Sequence, residues 1–184
     1  ARLPVVRKRR LCRGPRLPGA VARERPPYAV RERVEEELRH VVEPLVHALD
    51  VRDERAGRVG IEYPCFPHAE RVFRDFRLDI TALGHDKYGV KPEELYASKA
   101  DVLYLNPSNT ESMGRPMPVS RRAELLEWAE RTDGLIIEDD YNGALRFRSL
   151  PVPAMQGMSD GNRVIYLGSF SKLLMPSVRL SYMA

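Results

Sequence analysis

Residues 134–140 read GLIIEDD, a short apolar run that breaks into three acids. A run of this kind predicts a β-strand that delivers carboxylates at its end. The same texture recurs on either side. "DVLYLNP" (101–107) predicts a strand that opens into a Pro-, Ser-, Asn- and Gly-rich loop through Pro118, "RVIYLGS" (163–169) predicts another, and "RLSYMA" (179–184) begins one more. Upstream, "RVGIEYP" (58–64) predicts a short buried strand stopped by Pro64, and "RLDITAL" (77–83) a further one.

Helical patterns lie between these strands. "PHAERVFRDF" (67–76) has Pro67 near its start, where the missing N–H costs nothing. A second helix is expected to about Arg131, with Ser120 as its N-cap and Leu125, Leu126 and Ala129 on its buried face. Further upstream, Val34, Leu38, Val41, Val42, Leu45 and Leu49 share one helical face, with Pro44 set to kink or split the helix. "VRDERAGR" (51–58) is a polar connection.

Strands alternating with helices define an α/β domain with a mostly parallel sheet and flanking helices. Chemistry in such sheets collects at the carboxyl ends of the strands. Asn106, Asp139, Asp140, Tyr141 and Ser169 fall there and are site candidates on that ground. A sheet edge that stops at Ala184 leads to the expectation that the sequence is a fragment.

The chain of 184 residues is long enough for one domain with a real core and marginal for two. No apolar run approaches the length of a membrane helix, and no apolar segment follows the basic start as a secretory signal requires. Cys12 and Cys65 form no metal or disulfide pattern, which suits a cytoplasmic protein. The net charge of +4 is unevenly spread: residues 1–27 carry eight arginines and Lys8 against Glu24, which leaves the remainder mildly acidic. Rich in Arg and Pro, residues 1–27 read as a disordered basic arm, with contact to phosphate backbones as the alternative. The expected organisation is this arm, a helical segment over residues 28–57 of unclear assignment, and one α/β domain over 58–184.

Three chemistries compete for the polar residues. Ser169 and Lys172 spell S-x-x-K, a serine-acylase motif, but its K-T-G and S-D-N partners are missing; "SDGN" (159–162) has the wrong order. A nucleotide hydrolase would use the acids of LIIEDD, yet no G-x-x-x-x-G-K-[ST] is present, and no G-x-G-x-x-G for a dinucleotide. Glu138, Asp139 and Asp140 cannot converge on one metal from a straight strand, because successive residues face opposite ways. The third reading uses all the parts. A lysine amine attacks the aldehyde of pyridoxal 5′-phosphate, a buried carboxylate keeps its ring nitrogen protonated, and hydroxyls with a cation hold its phosphate. Lys172, Asp139, Ser169, Ser171 and Arg179 supply those groups.

"IIEDDYNGALRF", "LPVPAMQG" and "RVIYLGSFSKLLMPSVRLSYM" together resemble the large domain of fold-type-I, class I/II aminotransferases. More narrowly they resemble the aminotransferase-like domain of MocR-type regulators of the GntR family, where it follows a winged helix-turn-helix. "RVGIEYPCFPHAERVFRDF" extends the likeness upstream, so it covers about residues 58–184. The resemblance implies that Lys172 bonds the cofactor's aldehyde carbon and shuttles a proton there. It implies that Asp139 pairs with the pyridinium nitrogen, that Tyr141 hydrogen-bonds the ring hydroxyl oxygen, and that Ser169, Ser171 and Arg179 bind the phosphate. Phe66 stands where an aromatic ring, usually tyrosine, stacks on the pyridine. The loop "PSNTESMG" departs from the family's P-S-H-Q-x-P-T-G and leaves Asn109 as a cofactor contact. Tyr104 and Tyr166 read as packing residues, Asp140 as a supporting one, and His68 and His85 as surface residues with no partner in the sequence pattern.

The resemblance implies an amine or amino-acid ligand for a regulator, a homodimer in the parent protein, and DNA bound only through a helix-turn-helix outside this sequence. A free-standing aminotransferase, moving an amino group from an amino acid to a 2-oxo acid, would use the same residues. A stretch that lacks the small domain and the upstream phosphate-binding loop would be inactive by itself, and a binding-incompetent fragment is the third reading.

Overall fold

The computed structural model describes residues 38–40, 42–43, 57–65, 67–110, 115–141, 152–160, 163–170 and 181–184. Phe66, Ser171, Lys172 and Arg179 lie outside them, as does the expected arm over residues 1–27.

Eight strands and four helices are described from residue 58 onward. β1 (Arg58–Glu62) leads into α1 (Pro67–Asp75) and β2 (Asp79–Leu83). A two-residue hairpin, β3 (His85–Asp86) and β4 (Gly89–Val90), precedes α2 (Pro92–Ser98). Then come β5 (Val102–Leu105), α3 (Val119–Thr132), β6 (Leu135–Asp140), α4 (Met155–Met158), β7 (Val164–Ser169) and β8 (Ser181–Met183). The expected strands and the two expected helices downstream of residue 57 are all present. The hairpin, α2 and α4 are additions, too short to show a periodicity in sequence. Ser120 is not the N-cap of α3: Pro118 holds that place with extended backbone and without a side-chain cap bond, and Ser120 lies in the first turn.

Six strands form one sheet in the order β2-β1-β5-β6-β7-β8. Five pair in parallel, and β8 runs antiparallel to β7, placing Ser169 opposite Ser181. The chain leaves β1 to one side for β2 and then crosses to the other side for β5. The strand order therefore reverses between β1 and β5, the place where open α/β sheets form a crevice beyond their carboxyl ends.

The sheet is buried on both faces, as parallel sheets must be. On one face, Leu83, Leu103, Leu105, Ile136 and Val164 pack with Leu95, Leu125, Trp128 and Met155 of the helices. On the other, Val59, Ile61, Val102, Tyr104 and Ile137 pack against Ala69, Val72 and Phe73 of α1. The backbone is helical at residues 38–40 and 42–43, and Leu38 and Val42 are buried in this second cluster.

One buried ion pair fastens the first face. Arg122 of α3 and Glu138 of β6 are both fully buried, 3.5 Å apart. The guanidinium also donates to the carbonyls of Met117 (3.1 Å), Pro153 (2.8 Å) and Pro107 (2.7 Å). Glu138 accepts the backbone N–H groups of Met155 and Gln156, each at 3.1 Å. This arrangement ties the loop after β5 and the start of α4 to the middle of the sheet. Burial pushes the Glu138 carboxyl above its ordinary value, although both N–H groups and Arg122 pull the other way.

Removing Arg122 strands a buried carboxylate, which costs about 3–5 kcal/mol. Arg122→Ala is therefore expected to lower the unfolding free energy by about that amount in urea titration. Glu138 holds its proton more tightly folded than unfolded, so its contribution is complete below the carboxylate range and is lost as pH rises through the raised value. Arg122→Ala should steepen that fall. A loss under about 1 kcal/mol, equal at all pH, contradicts this account.

Candidate functional site

The carboxyl edge of the sheet gathers the candidate side chains. Alternation along β6 sends Ile137 and Asp139 to the α1 face, and Ile136, Glu138 and Asp140 to the other. The three acids therefore do not converge, and no group of side chains able to hold a metal occurs among the described residues.

Asp139 is 9% exposed, and the phenol of Tyr104 donates to its Oδ2 at 2.5 Å. Tyr104 belongs to the neighbouring β5 and is in register with Ile137, two residues before Asp139 and on the same face. Its ring lies edge-on to Phe73 of α1, 5.5 Å between centroids. Tyr104 is thus more than the packing residue that its strand pattern suggested. An alternating aromatic gives no sign of what its hydroxyl meets, because that partner lies on another strand.

The loop after β5 folds onto the end of β6. Asn106 is 7% exposed and accepts the backbone N–H of Asn109 through Oδ1 at 3.0 Å, a tight local turn. The turn presents Asn109, whose Nδ2 donates to the Tyr141 hydroxyl at 3.3 Å. Asn109 and Tyr141 are thereby brought together just past the strand ends. The loop is held at its base by Met117 N–H donating to Pro107 (2.8 Å) and by Thr110 bonding twice to the Arg115 carbonyl (3.1 and 3.3 Å). Asn106 Nδ2 is buried and has no hydrogen-bond partner among the described residues.

Ser169 closes β7, two residues beyond Leu167, which pairs with Asp139. It therefore shares the face of Asp139. Asp140 does not: on the opposite face it accepts the Tyr166 hydroxyl at 2.8 Å. Burial, together with the Asp140 carboxylate, pushes the Tyr166 phenol above its ordinary value and keeps it a donor. Tyr166 also packs with Tyr182 of β8, which in turn packs with Phe170, at 5.8 and 5.0 Å between centroids. Tyr166, like Tyr104, was expected only to pack and instead partners an acid. His68 and His85 are partnered as well. The Nδ1 of His85 lies 2.8 Å from the Tyr63 carbonyl oxygen, and His68 also interacts within the fold.

The described edge thus offers a buried carboxylate held by a phenol, an amide–phenol pair on a braced loop, a buried amide donor with unused capacity, and a serine on the same face. Such groups can donate to and accept from a polar ligand at this edge. The phosphate-holding and amine-bearing candidates, Ser171, Arg179 and Lys172, lie outside the described residues, as does Phe66.

No family model matches the chain. Curated relatives do. The HTH-type transcriptional regulator YhdI of Bacillus subtilis, itself uncharacterized, is 44% identical over 126 residues, 68% of this chain and 27% of the relative. The probable rhizopine catabolism regulatory protein MocR of Rhizobium meliloti is 44% identical over 122 residues, 66% of this chain and 25% of the relative. Among solved structures, the multiple substrate aminotransferase of Thermococcus profundus superposes with a TM-score of 0.64 at 29% identity, over 69% of this chain and 34% of that one. The sheet and its flanking helices are those of the large domain of fold-type-I, class I/II aminotransferases. By sequence the chain is homologous to MocR-type regulators of the GntR family and to aromatic aminotransferases. It spans about a quarter of the length of the curated regulators it matches.

Tyr166→Phe removes the donor to Asp140 while keeping the ring. A loss of about 1–3 kcal/mol in urea unfolding is expected from a hydrogen bond to a half-buried carboxylate; unchanged stability contradicts the bond.

Proposed function

We propose that this chain is the cofactor-holding part of an amine- or amino-acid-sensing regulator of the MocR type, with pyridoxal 5′-phosphate as its cofactor. The observation that carries this reading is Asp139: a buried carboxylate at the carboxyl end of a parallel strand, fixed by a neighbouring phenol, on the face it shares with Ser169. The unpartnered buried Nδ2 of Asn106 fits the same reading, since a buried donor at this edge has capacity for a polar ligand.

When bound, the cofactor supplies an aldehyde for amines and an electron sink for the carbon beside them. The chain's part is to bind and aim it. Asp139 would hold a proton on the ring nitrogen, because an adjacent negative charge raises that nitrogen's affinity for it. Tyr141, whose hydroxyl accepts from Asn109 Nδ2, would hydrogen-bond the ring hydroxyl oxygen. Ser169, Ser171 and Arg179 would hold the phosphate, Arg179 as its cation. By the family likeness, Phe66 would be the aromatic residue that stacks on the ring. Lys172 would supply the amine for the cofactor's aldehyde, with loss of water, and once an incoming amine displaced it, that freed amine would be the base able to move a proton.

Residues 58–184 form the partial large domain in this reading, with residues 1–27 a separate basic arm. The whole protein works in the cytoplasm as a homodimer. It contacts DNA through a helix-turn-helix outside this sequence, and amine exchange at the cofactor resets that contact. The fold is equally that of an enzyme, so a free-standing aminotransferase is the second reading. Turnover separates the two: multiple rounds of amino transfer from an amino acid to a 2-oxo acid by the whole protein favour the enzyme, and a single stoichiometric exchange favours the sensor.

Adding pyridoxal 5′-phosphate to the purified chain should generate the visible absorbance of a lysine-bound aldehyde. Lys172→Ala should abolish it, and Asp139→Asn should weaken binding by about tenfold or more, the value of a lost charge-assisted bond. Asp140→Asn, on the opposite face, should leave it nearly unchanged. No absorbance from the unaltered chain contradicts cofactor binding by this stretch and leaves the likeness to the regulators standing.

A further inference from the structure

We infer that Tyr104 is a positioning residue for the cofactor's ring nitrogen, acting through Asp139. The inference deepens the proposed function and rests on it.

Three observations point to this role. First, Tyr104 and Asp139 sit on adjacent parallel strands, on one face, with the phenol donating to Oδ2 at 2.5 Å inside the protein. A carboxylate can rotate about its Cβ–Cγ bond. A donor that claims Oδ2 stops that rotation and so sets the direction of Oδ1 as well. Second, the phenol is itself held. Tyr104 is 5% exposed, in the cluster of Val59, Ile61, Val72 and Ile137, and its ring is pinned edge-on by Phe73. A donor with a fixed ring gives the carboxylate a fixed aim, which is what preorganisation requires. Third, the contact reaches the one acid of LIIEDD on this face. Glu138 and Asp140 face the other way and are occupied by Arg122 and Tyr166. Tyr104 therefore acts selectively on the carboxylate proposed to meet the ring nitrogen.

A structural role alone would make Tyr104 matter equally for any ligand of this edge. A role through Asp139 makes it matter only for a ligand with a nitrogen at that place. The probe pair is pyridoxal 5′-phosphate and its 1-deaza analogue, which replaces the ring nitrogen by carbon and keeps the aldehyde, hydroxyl and phosphate. Tyr104→Phe keeps the ring and its contact with Phe73. It is expected to weaken pyridoxal 5′-phosphate by about tenfold and to leave the analogue within about twofold, measured by titration. In an Asp139→Asn background the Tyr104→Phe effect on pyridoxal 5′-phosphate should vanish, since the two residues act as a unit.

Equal weakening of both ligands by Tyr104→Phe overturns the role of Tyr104 and leaves the cofactor reading standing. So does an undiminished effect in the Asp139→Asn background, or loss of the fold in Tyr104→Phe, which would make the hydroxyl a prop of the sheet. Failure of the unaltered chain to bind either ligand overturns the cofactor reading and the role of Tyr104 with it.

Discussion

Strand β6 is buried on both faces and ends in three consecutive acids, and that conflict organises the molecule. A carboxylate cannot enter a packed interior without partners. The strand's two-residue alternation decides which partners each acid can reach. Glu138 turns to the α3 face and meets Arg122 and two backbone N–H groups. Asp140 turns the same way and takes the Tyr166 phenol from β7. Asp139 alone turns to the α1 face, where Tyr104 meets it from β5. Shifting the strand by one residue would exchange these environments. The register that pairs Ile137 with Tyr104 and Asp139 with Leu167 therefore also determines which acid shares a face with Ser169.

The buried pair on the far face serves the near one at a distance. Arg122 holds the Pro107 carbonyl, and Pro107 begins the turn that carries Asn109 to Tyr141. The loop's aim is thus anchored through the sheet to α3 and α4.

Much of this was legible in the sequence for physical reasons. Apolar runs bounded by Gly and Pro mark buried strands, and GLIIEDD, DVLYLNP and RVIYLGS are such runs; the amphipathic α1 and α3 show their periodicity. What could not be read depends on contacts between segments distant in the chain. The roles of Tyr104 and Tyr166 arise from strand pairing 26 to 35 residues away, and an alternating tyrosine looks the same whether or not its hydroxyl is used. Arg122 resembles any helix arginine until the helix is seen to pack on Glu138. The β3–β4 hairpin and α4 are shorter than any period that would reveal them, and the antiparallel sense of β8 is invisible in three residues. The signal that could have found Tyr104 was geometric: a tyrosine and an aspartate each near the end of neighbouring strands.

A regulator and an enzyme of this fold would part ways only after ligand binding, and the proposed reading gives both the same cofactor-bonding residue, Lys172. The most direct measurement is therefore made on that lysine. Treating the chain with pyridoxal 5′-phosphate, reducing with borohydride and mapping the peptides by mass should place the added phosphopyridoxyl group on Lys172 alone. A label spread over Lys8, Lys87, Lys91 and Lys99, or missing from Lys172, would contradict the account.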